Sequence, residues 1–321
     1  MPKSPAAVPN TDSDFIRTRV LRAIAANREP GYHFAGNFLA ISFDEMDEHQ
    51  AALSMREGPH VAAADGQIEM AALSILADLA LAGAIRGALQ RSTRLATVNM
   101  QLQFTGARRA GPLTARSEFH GYFRNSAAQQ GITRMAMHNE QDQVCIGSAA
   151  FMVLEPPPGF KLPPLRPYRE PPPGTPLLAA EELNQSETQI LGRADAALIT
   201  AQKTGTPFLR NFWQFRTRKN RDGASASLQN GAHVGNRVGH VQGGVLFGLA
   251  EAAARAALPP HWVLSAITAC YLTPGEGATL TAHAKIVHQG SRTAVVHGII
   301  TGAKRRRVLE TVATYTAPAK K

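Results

Sequence analysis

An internal repeat constrains the fold of this chain more than any other feature of its sequence. Two apolar segments rich in alanine and leucine, residues 66–89 and 239–258, each stand between strand-like runs. The strand-like runs that follow them repeat at a constant offset of 167 residues, so that Gly131 corresponds to Gly298. Because turn, helix and strands occur in the same order in both parts, the sequence predicts two copies of one structural unit.

A proline-rich stretch over residues 154–178 separates the two copies. So many prolines exclude helix and central strand, and they are typical either of a stiff extended connector or of a disordered linker. A chain of 321 residues also suits two domains. We therefore predict an N-terminal unit over 1–153, a linker over 154–178 and a C-terminal unit over 179–321.

Each copy shows the pattern of a short lead-in helix, two strands, one long apolar helix and three or four antiparallel strands. The long helices are apolar on nearly all sides, so each must be surrounded by other parts of the chain. The only elements available for this are the strands. The sequence therefore predicts an α+β fold in which a curved antiparallel sheet wraps round one central helix in each unit.

The chain carries a formal net charge of +10, which favours an anionic partner such as a nucleic acid, an anionic membrane or a phosphorylated small molecule. Aromatic residues make up only 6% of the chain, and no basic stretch has interleaved Phe and Tyr for stacking on bases. We therefore expect no nucleic-acid partner.

The remaining composition predicts a cytoplasmic protein without a metal site. Cys145 and Cys270 are the only cysteines, and the histidines show no metal-ligand spacing. The N-terminal residues lack the apolar core of a signal peptide. The most apolar window, residues 68–85, has Asp78 near its middle, and a charge at the centre of a membrane span is costly. We therefore expect no membrane span.

A motif in the second copy places polar residues at fixed spacing around the start of its long helix. Asn236 is followed six residues later by the tripeptide Gln-Gly-Gly over 242–244, and Glu251 stands nine residues after the glutamine. With the aromatic-x-x-Pro sequence over 271–274, this spacing resembles the hotdog-fold thioesterases of the phenylacetate-pathway type. That family usually has His at the glutamine position and Asp at the Glu251 position. The resemblance implies a tandem fusion of two hotdog units.

The resemblance also implies how two units share a site. Family members take the Asn and the first Gly from one unit, and an acid with a Ser or Thr from the other. In the first unit Asp78 holds the acid position and Thr97 the hydroxyl position, while Ala63 and Met70 stand at the Asn and Gly positions.

The two units are therefore complementary, and we predict one working site in each chain. That site would combine four residues from both units: Asn236, Gly243, Asp78 and Thr97. The other site would keep Glu251 as its acid, but Leu264 stands at its hydroxyl position, and it is predicted to be degenerate.

Thioester hydrolysis needs a group that stabilises negative charge on the carbonyl oxygen and a group that activates or delivers the nucleophile. Gly243, at a helix N-terminus, would provide a backbone N–H for the oxyanion. Asp78 would act either as a general base on water or as the nucleophile itself. Thr97 would hold the water, Asn236 would orient water or acid, and Gln242 would support them by hydrogen bonding.

Each of these residues also has an ordinary structural explanation. Asn236 alone is typical of a turn, and Thr97 alone is typical of a strand. The buried carboxylates need partners in any case. For Asp78 the alternatives are Arg86 and Arg91, and for Glu251 they are Gln67, a protonated Glu69 or a nearby Arg.

The implied substrate is an acyl-coenzyme A, which needs no separate cofactor. The candidates for binding it are Gly244 and four basic residues in two turns: Arg108, Arg109, Arg305 and Arg306. Such basic turns are otherwise solvated surface. The acyl group is expected to lie against apolar residues: Leu73, Leu76, Leu246 and Phe247. A homodimer or higher assembly of such chains is also compatible with the family.

Two other functions fit the same fold. A non-catalytic acyl-coenzyme A-binding protein is favoured by Gln242 in place of His, and opposed by the presence of Asp78, Thr97 and Asn236. An enoyl-coenzyme A hydratase or dehydratase is less well supported, because neither central helix contains a His beyond its first residues.

Overall fold

A computed structural model describes residues 11–29, 33–90, 93–123, 129–155, 177–236 and 238–317. Most of the proline-rich stretch, residues 156–176, lies outside the described residues, so the predicted connector stays a prediction. Arg91, one of the alternative partners of Asp78, also lies outside them.

In the described part of the first unit there are three helices and six strands. They are α1 (Thr11–Asn27), α2 (Phe34–Phe38), β1 (Ser42–Met46), β2 (Gln50–Met55), α3 (Met70–Leu89), β3 (Arg94–Phe104), β4 (Leu113–Tyr122), β5 (Gln130–His138) and β6 (Gln143–Leu154). The second unit repeats this order after a short 3₁₀ turn over Ala180–Glu182. Its elements are α4 (Gln185–Thr204), α5 (Phe208–Phe212), β7 (Arg216–Asn220), β8 (Gly223–Gln229), α6 (Gly243–Ala257), β9 (Val263–Tyr271), β10 (Thr279–Gln289), β11 (Thr293–Thr301) and β12 (Arg307–Thr316).

All the strands of both units join in one antiparallel sheet. Its order is β1-β2-β4-β5-β6-β3-β9-β12-β11-β10-β8-β7. The units meet where β3 pairs with β9, and there Gln101 lies opposite Thr268. These two residues are equivalent at the 167-residue offset, so a local two-fold axis passes through this pair.

The two central helices carry the core. α3 packs against β2, β4 and β5, and α6 packs in the same way against β8, β10 and β11. By length and composition alone α3 could cross a membrane, but 78% of its apolar window is buried inside the protein. A core helix that is surrounded by a sheet explains this apolar composition.

Two glycines of α6 allow the central helices to touch. A Cβ atom on Gly244 would lie 2.5 Å from the Ile75 Cα atom of α3, and a Cβ atom on Gly248 would collide with Ala71. The Ser74 hydroxyl lies 2.8 Å from the Gly244 carbonyl oxygen and adds a hydrogen bond to this contact. The glycines therefore set the distance between the helices that carry the site.

The central helices differ in length, with 20 residues in α3 and 15 in α6. Each helix follows an equivalent short bridge, Ala62–Ile68 in the first unit and Gly235–Val241 in the second. The helices therefore begin at equivalent positions, and the additional residues of the first unit lie at the C-terminal end of α3. Arg86 lies in this additional turn.

Candidate active site

A cavity of about 320 Å³ lies at the seam between the two units. The first unit lines it with residues of α2, α3 and β3, and the second lines it with the start of α6 and the end of β9. The polar lining of this cavity includes Asp78, Arg86, Thr97, Asn236, His240, Gln242 and Tyr271. The cavity thus contains Asp78 and Thr97 of one unit beside Asn236, Gln242 and Gly243 of the other.

Asp78 is buried, and donors from both units surround its carboxylate. The Thr97 hydroxyl donates to Oδ1 at 3.0 Å, and the Gln242 side-chain amide donates to Oδ2 at 2.6 Å. The backbone N–H of Gly244 also donates to this carboxylate. These bonds fix the position of the acid at the N-terminus of α6.

Burial raises the pKa of Asp78 to about 6, although the donors Thr97 and Gln242 and the positive charge of Arg86 all act to lower it. The acid is therefore mainly ionised at neutral pH, yet it accepts a proton far more readily than an exposed aspartate does. A general base needs a pKa of this kind, close to the pH at which it works.

A bulge in β3 directs Thr97 towards the acid. The pairing of β3 with β6 slips between Thr97 and Asn99, so Val98 has no partner in the regular register. β9 shows the same slip against β12, beside Leu264. A bulge redirects the neighbouring side chain, and the bulge is thus common to both units while the hydroxyl occurs only in the first.

Gln242 is the N-cap of α6, and both ends of its amide are engaged. Its Oε1 accepts from the Val245 N–H at 3.0 Å while its Nε2 donates to Asp78. The amide therefore cannot turn round without breaking one of the two bonds. Gln242 acts on the carboxylate as a fixed hydrogen-bond donor.

Gly243 keeps the space between the helix terminus and the acid open. A Cβ atom at this position would lie 3.1 Å from Asp78 Oδ2 and 3.3 Å from Thr97 Oγ1. Its amide is the first of α6, and the first N–H groups of a helix have no acceptor within that helix. The Tyr271 hydroxyl donates to the Gly243 carbonyl at 2.9 Å and fixes the peptide from the other side.

Asn236 lines the cavity, but its side-chain oxygen is used to form a turn. Oδ1 accepts from the N–H groups of Val238 and His240 at 3.0 and 3.1 Å. Among the described residues its side chain makes no hydrogen bond to Asp78. The ordinary turn-forming role is thus present, whereas the expected orienting role has no direct contact here.

The other seam site is built differently. Glu251 accepts from Arg255, one helical turn later, at 2.8 Å, so its partner is the nearby Arg of the three alternatives. Met70 is the first residue of α3, where α6 has Gly243, and Leu264 stands at the Thr97 position. Both are buried, and neither lines the cavity of about 490 Å³ beside Glu251.

Comparisons with known proteins agree with this architecture. Residues 238–309 match the family model described as the thioesterase superfamily. A conserved hot dog-fold protein of Alicyclobacillus acidocaldarius is 12% identical, with a TM-score of 0.51 over 90% of this chain and 100% of its own. The chain is a double hotdog. The predicted α+β fold of two fused units is thereby confirmed.

Other solved structures share the fold of the double hotdog. A 12:0-ACP thioesterase of Umbellularia californica is 8% identical, with a TM-score of 0.51 over 84% of this chain and 94% of its own. A tesB protein of Mycobacterium avium subs. paratuberculosis is 12% identical, with a TM-score of 0.50 over 86% and 95%. No curated protein sequence matches the chain.

The predicted substrate-binding residues lie in three different places in the double hotdog. Gly244 does not line the cavity, because it packs on Ile75 and its N–H is directed to Asp78. Arg305 and Arg306 are exposed in the turn between β11 and β12. In this turn the Ala303 N–H donates to the Glu276 carbonyl oxygen. The Glu276 carboxylate lies 3.3 Å from Nε2 of the cavity residue His240.

Arg108 and Arg109 lie away from Asp78, contrary to the expectation of a shared substrate site. Arg108 is exposed, while Arg109 donates to the Ile68 carbonyl at 3.2 Å, close to the start of α3. Burial and the nearby positive charge of Arg255 lower the pKa of Arg109, and the charge of Glu251 opposes them, so Arg109 belongs to the side of the second site. The cause is topological, because the turn after β3 passes the start of its own unit's helix.

The expected acyl-binding residues were partly wrong. Leu246 lines the first cavity, but Leu73, Leu76 and Phe247 are fully buried in the core and do not line it. Its apolar wall is formed by residues that the helix pattern did not indicate: Ile41, Phe43, Leu79, Ala82 and Phe151. Tyr271 was visible only as the aromatic residue of a strand-end motif, and its contact with Gly243 was not predicted.

Proposed function

We propose that the double hotdog hydrolyses acyl-coenzyme A thioesters at the single cavity between Asp78 and Gly243. The observation that carries this proposal is the placement of a hydrogen-bonded carboxylate against an open helix N-terminus. The match of residues 238–309 to the thioesterase superfamily supports hydrolysis of a thioester in general. Coenzyme A as the carrier rests on the resemblance and on the net charge of +10.

In the proposed reaction, Asp78 removes a proton from a water molecule as its oxygen attacks the thioester carbonyl carbon. The carbonyl oxygen becomes an oxyanion and accepts from the Gly243 N–H, aided by the helix dipole. One such donor contributes about 3 kcal/mol to a transition state of this kind. The tetrahedral intermediate then breaks its C–S bond, and the coenzyme A thiolate takes the proton that Asp78 holds.

Thr97 and Gln242 each donate to one oxygen of the Asp78 carboxylate, so the acid is oriented before the substrate arrives. Direct attack by Asp78 on the carbonyl carbon is the alternative, and it would give a mixed anhydride that water then cleaves. If water attacks the aspartyl carbonyl of this anhydride, ¹⁸O from labelled water enters the Asp78 side chain and one Asp78 oxygen leaves with the acid product, whereas the general-base route puts no label into Asp78.

We propose further that the second seam site does not hydrolyse thioesters. Met70 places a side chain where Gly243 leaves space, and Leu264 provides no hydroxyl. Arg255 forms an ion pair with Glu251 at 2.8 Å, so this carboxylate is engaged by a cation and is not free to act on a water molecule.

The test is release of free thiol from short, medium, long and aromatic acyl-coenzyme A substrates, measured by a colorimetric thiol reagent. We expect Asp78→Asn to abolish turnover and Glu251→Gln to retain it. Gly243→Ala should lower turnover, because its Cβ atom would stand 3.1 Å from Asp78 Oδ2 and displace the carboxylate. If Glu251→Gln alone removed activity, the assignment of the two sites would be reversed. Binding of coenzyme A without thiol release from any substrate would favour a non-catalytic binding protein.

A further inference from the structure

The second seam cavity is a built site that the proposed hydrolysis does not use. Its volume of about 490 Å³ falls in the range of small-molecule pockets. Its walls come from the segment from α5 to β7 and from α6 in the second unit, with Glu69 and Ala71 from the first. The apolar part is formed by Leu209, Trp213, Phe215 and Leu258.

The charges around the cavity favour an anion. Three cations line it, Arg210, Lys219 and Arg255, against two carboxylates, Glu69 and Glu251. The ion pair with Arg255 neutralises Glu251. Burial and the nearby charge of Glu251 raise the pKa of Glu69, which favours its neutral form. Arg210 and Lys219 are exposed, so they lie where an anion would enter.

We propose that this cavity binds a small carboxylic acid with an apolar body, without catalysing any reaction on it. The carboxylate meets Arg210 and Lys219 at the mouth, because Arg255 is already paired with Glu251, while the apolar body lies against Phe215 and its apolar neighbours. This inference does not depend on hydrolysis at the first cavity, although the acid released by that reaction would belong to the same class of ligand.

The experiment is isothermal titration of the full-length protein with sodium octanoate, using 1-octanol and octylamine as the uncharged and cationic analogues. We expect one octanoate per chain and at least tenfold weaker binding of both analogues. The double variant Arg210→Gln with Lys219→Gln should weaken octanoate about tenfold, since it removes two charges at the mouth.

The matched control is the double variant Arg305→Gln with Arg306→Gln, which removes two charges on the side of the first cavity. It should leave octanoate binding unchanged. The proposal is overturned if this control weakens binding while the Arg210 and Lys219 variant does not, because octanoate would then occupy the first cavity. Equal or tighter binding of octanol or octylamine, or no binding heat at millimolar octanoate, would overturn it as well.

Discussion

The Gln242 side chain of one unit lies 2.6 Å from the Asp78 carboxylate of the other, so the acid is held across the seam. The same glutamine caps α6 through its other amide atom. An imidazole cannot accept from Val245 and donate to Asp78 in the same directions as a side-chain amide. Gln242 is therefore a working part of this arrangement and not only a substitute for the histidine that the family usually has there.

Replacing Gln242 by methionine should move the acidic limb of the pH–activity profile upward. The wild-type limb is expected near pH 6, because Asp78 has a pKa of about 6 and only its ionised form acts as a base. Loss of a donor to the charged form raises this pKa further, by about one unit. The measurement is kcat/KM for an acyl-coenzyme A between pH 5 and 9. Thr97→Val should shift the limb in the same direction, and a limb that stayed in place would contradict the role of both donors.

Asp78 should make the protein less stable as the pH rises. Its folded pKa of about 6 exceeds the ordinary value of 3.8, so the folded state binds the proton more tightly. This contribution to stability is fully present below about pH 4 and is lost as the pH rises through 6. Between pH 4.5 and 7.5, urea unfolding should show wild type losing about 2 kcal/mol relative to Asp78→Asn. A constant difference between the two proteins would mean that the folded pKa of Asp78 is not raised.

His60 should have the opposite effect on stability. Burial, with the positive charge of Arg19, lowers its pKa to about 3, so the folded state resists protonation of the ring. The contribution of the neutral ring to stability is present above pH 6.5, the ordinary pKa of histidine, and is lost as the pH falls towards 3. His60 packs between Phe15 and Phe38 at ring distances of 5.6 and 5.8 Å. His60→Phe should therefore retain this packing. Between pH 7.5 and 5 its free energy of unfolding should fall by about 2 kcal/mol less than that of the wild type. The same pH dependence in wild type and His60→Phe would contradict this role of His60.

Gly244→Ala should destabilise the protein, because its Cβ atom would lie 2.5 Å from the Ile75 Cα atom and 2.7 Å from the Ser74 carbonyl oxygen. Neither backbone atom can move without separating the two central helices, so we expect a loss of about 3 kcal/mol in the free energy of unfolding. Gly192→Ala is the matched control, since Gly192 lies on an exposed part of α4 with no atom within 4 Å of a new Cβ. That change should stabilise the protein by up to about 1 kcal/mol. Equal effects of the two substitutions would show that the helix contact is not tight.

The sequence contained much of the fold because the pattern occurs twice. The repeat makes Asp78 equivalent to Glu251 and Met70 equivalent to Gly243, and the sharing of residues across the seam follows once the two units are recognised. The partner of Glu251 was also accessible, since Arg255 follows it by four residues and such pairs meet on a helix. The proton-accepting character of Asp78 depends on burial, which the sequence only suggested.

Other parts of the site could not be obtained from the sequence. The two bonds of Gln242 depend on its side-chain orientation at the helix N-terminus. The place of Arg109 depends on which of two cavities its turn approaches, and a linear repeat does not distinguish them. The prediction of the residues that line the acyl group was partly wrong because α3 is apolar on all sides. Periodicity alone could not separate the cavity residue Leu79 from the core residue Leu76.

The additional turn at the end of α3 has a consequence for protein engineering. It carries Arg86, whose charge lowers the pKa of Asp78, and α6 ends at Ala257 before it reaches the equivalent position. The two sites therefore differ in the length of the central helix as well as in their side chains. A designer who wished to install a second catalytic centre would need to lengthen α6 by a turn, besides exchanging Met70, Glu251 and Leu264.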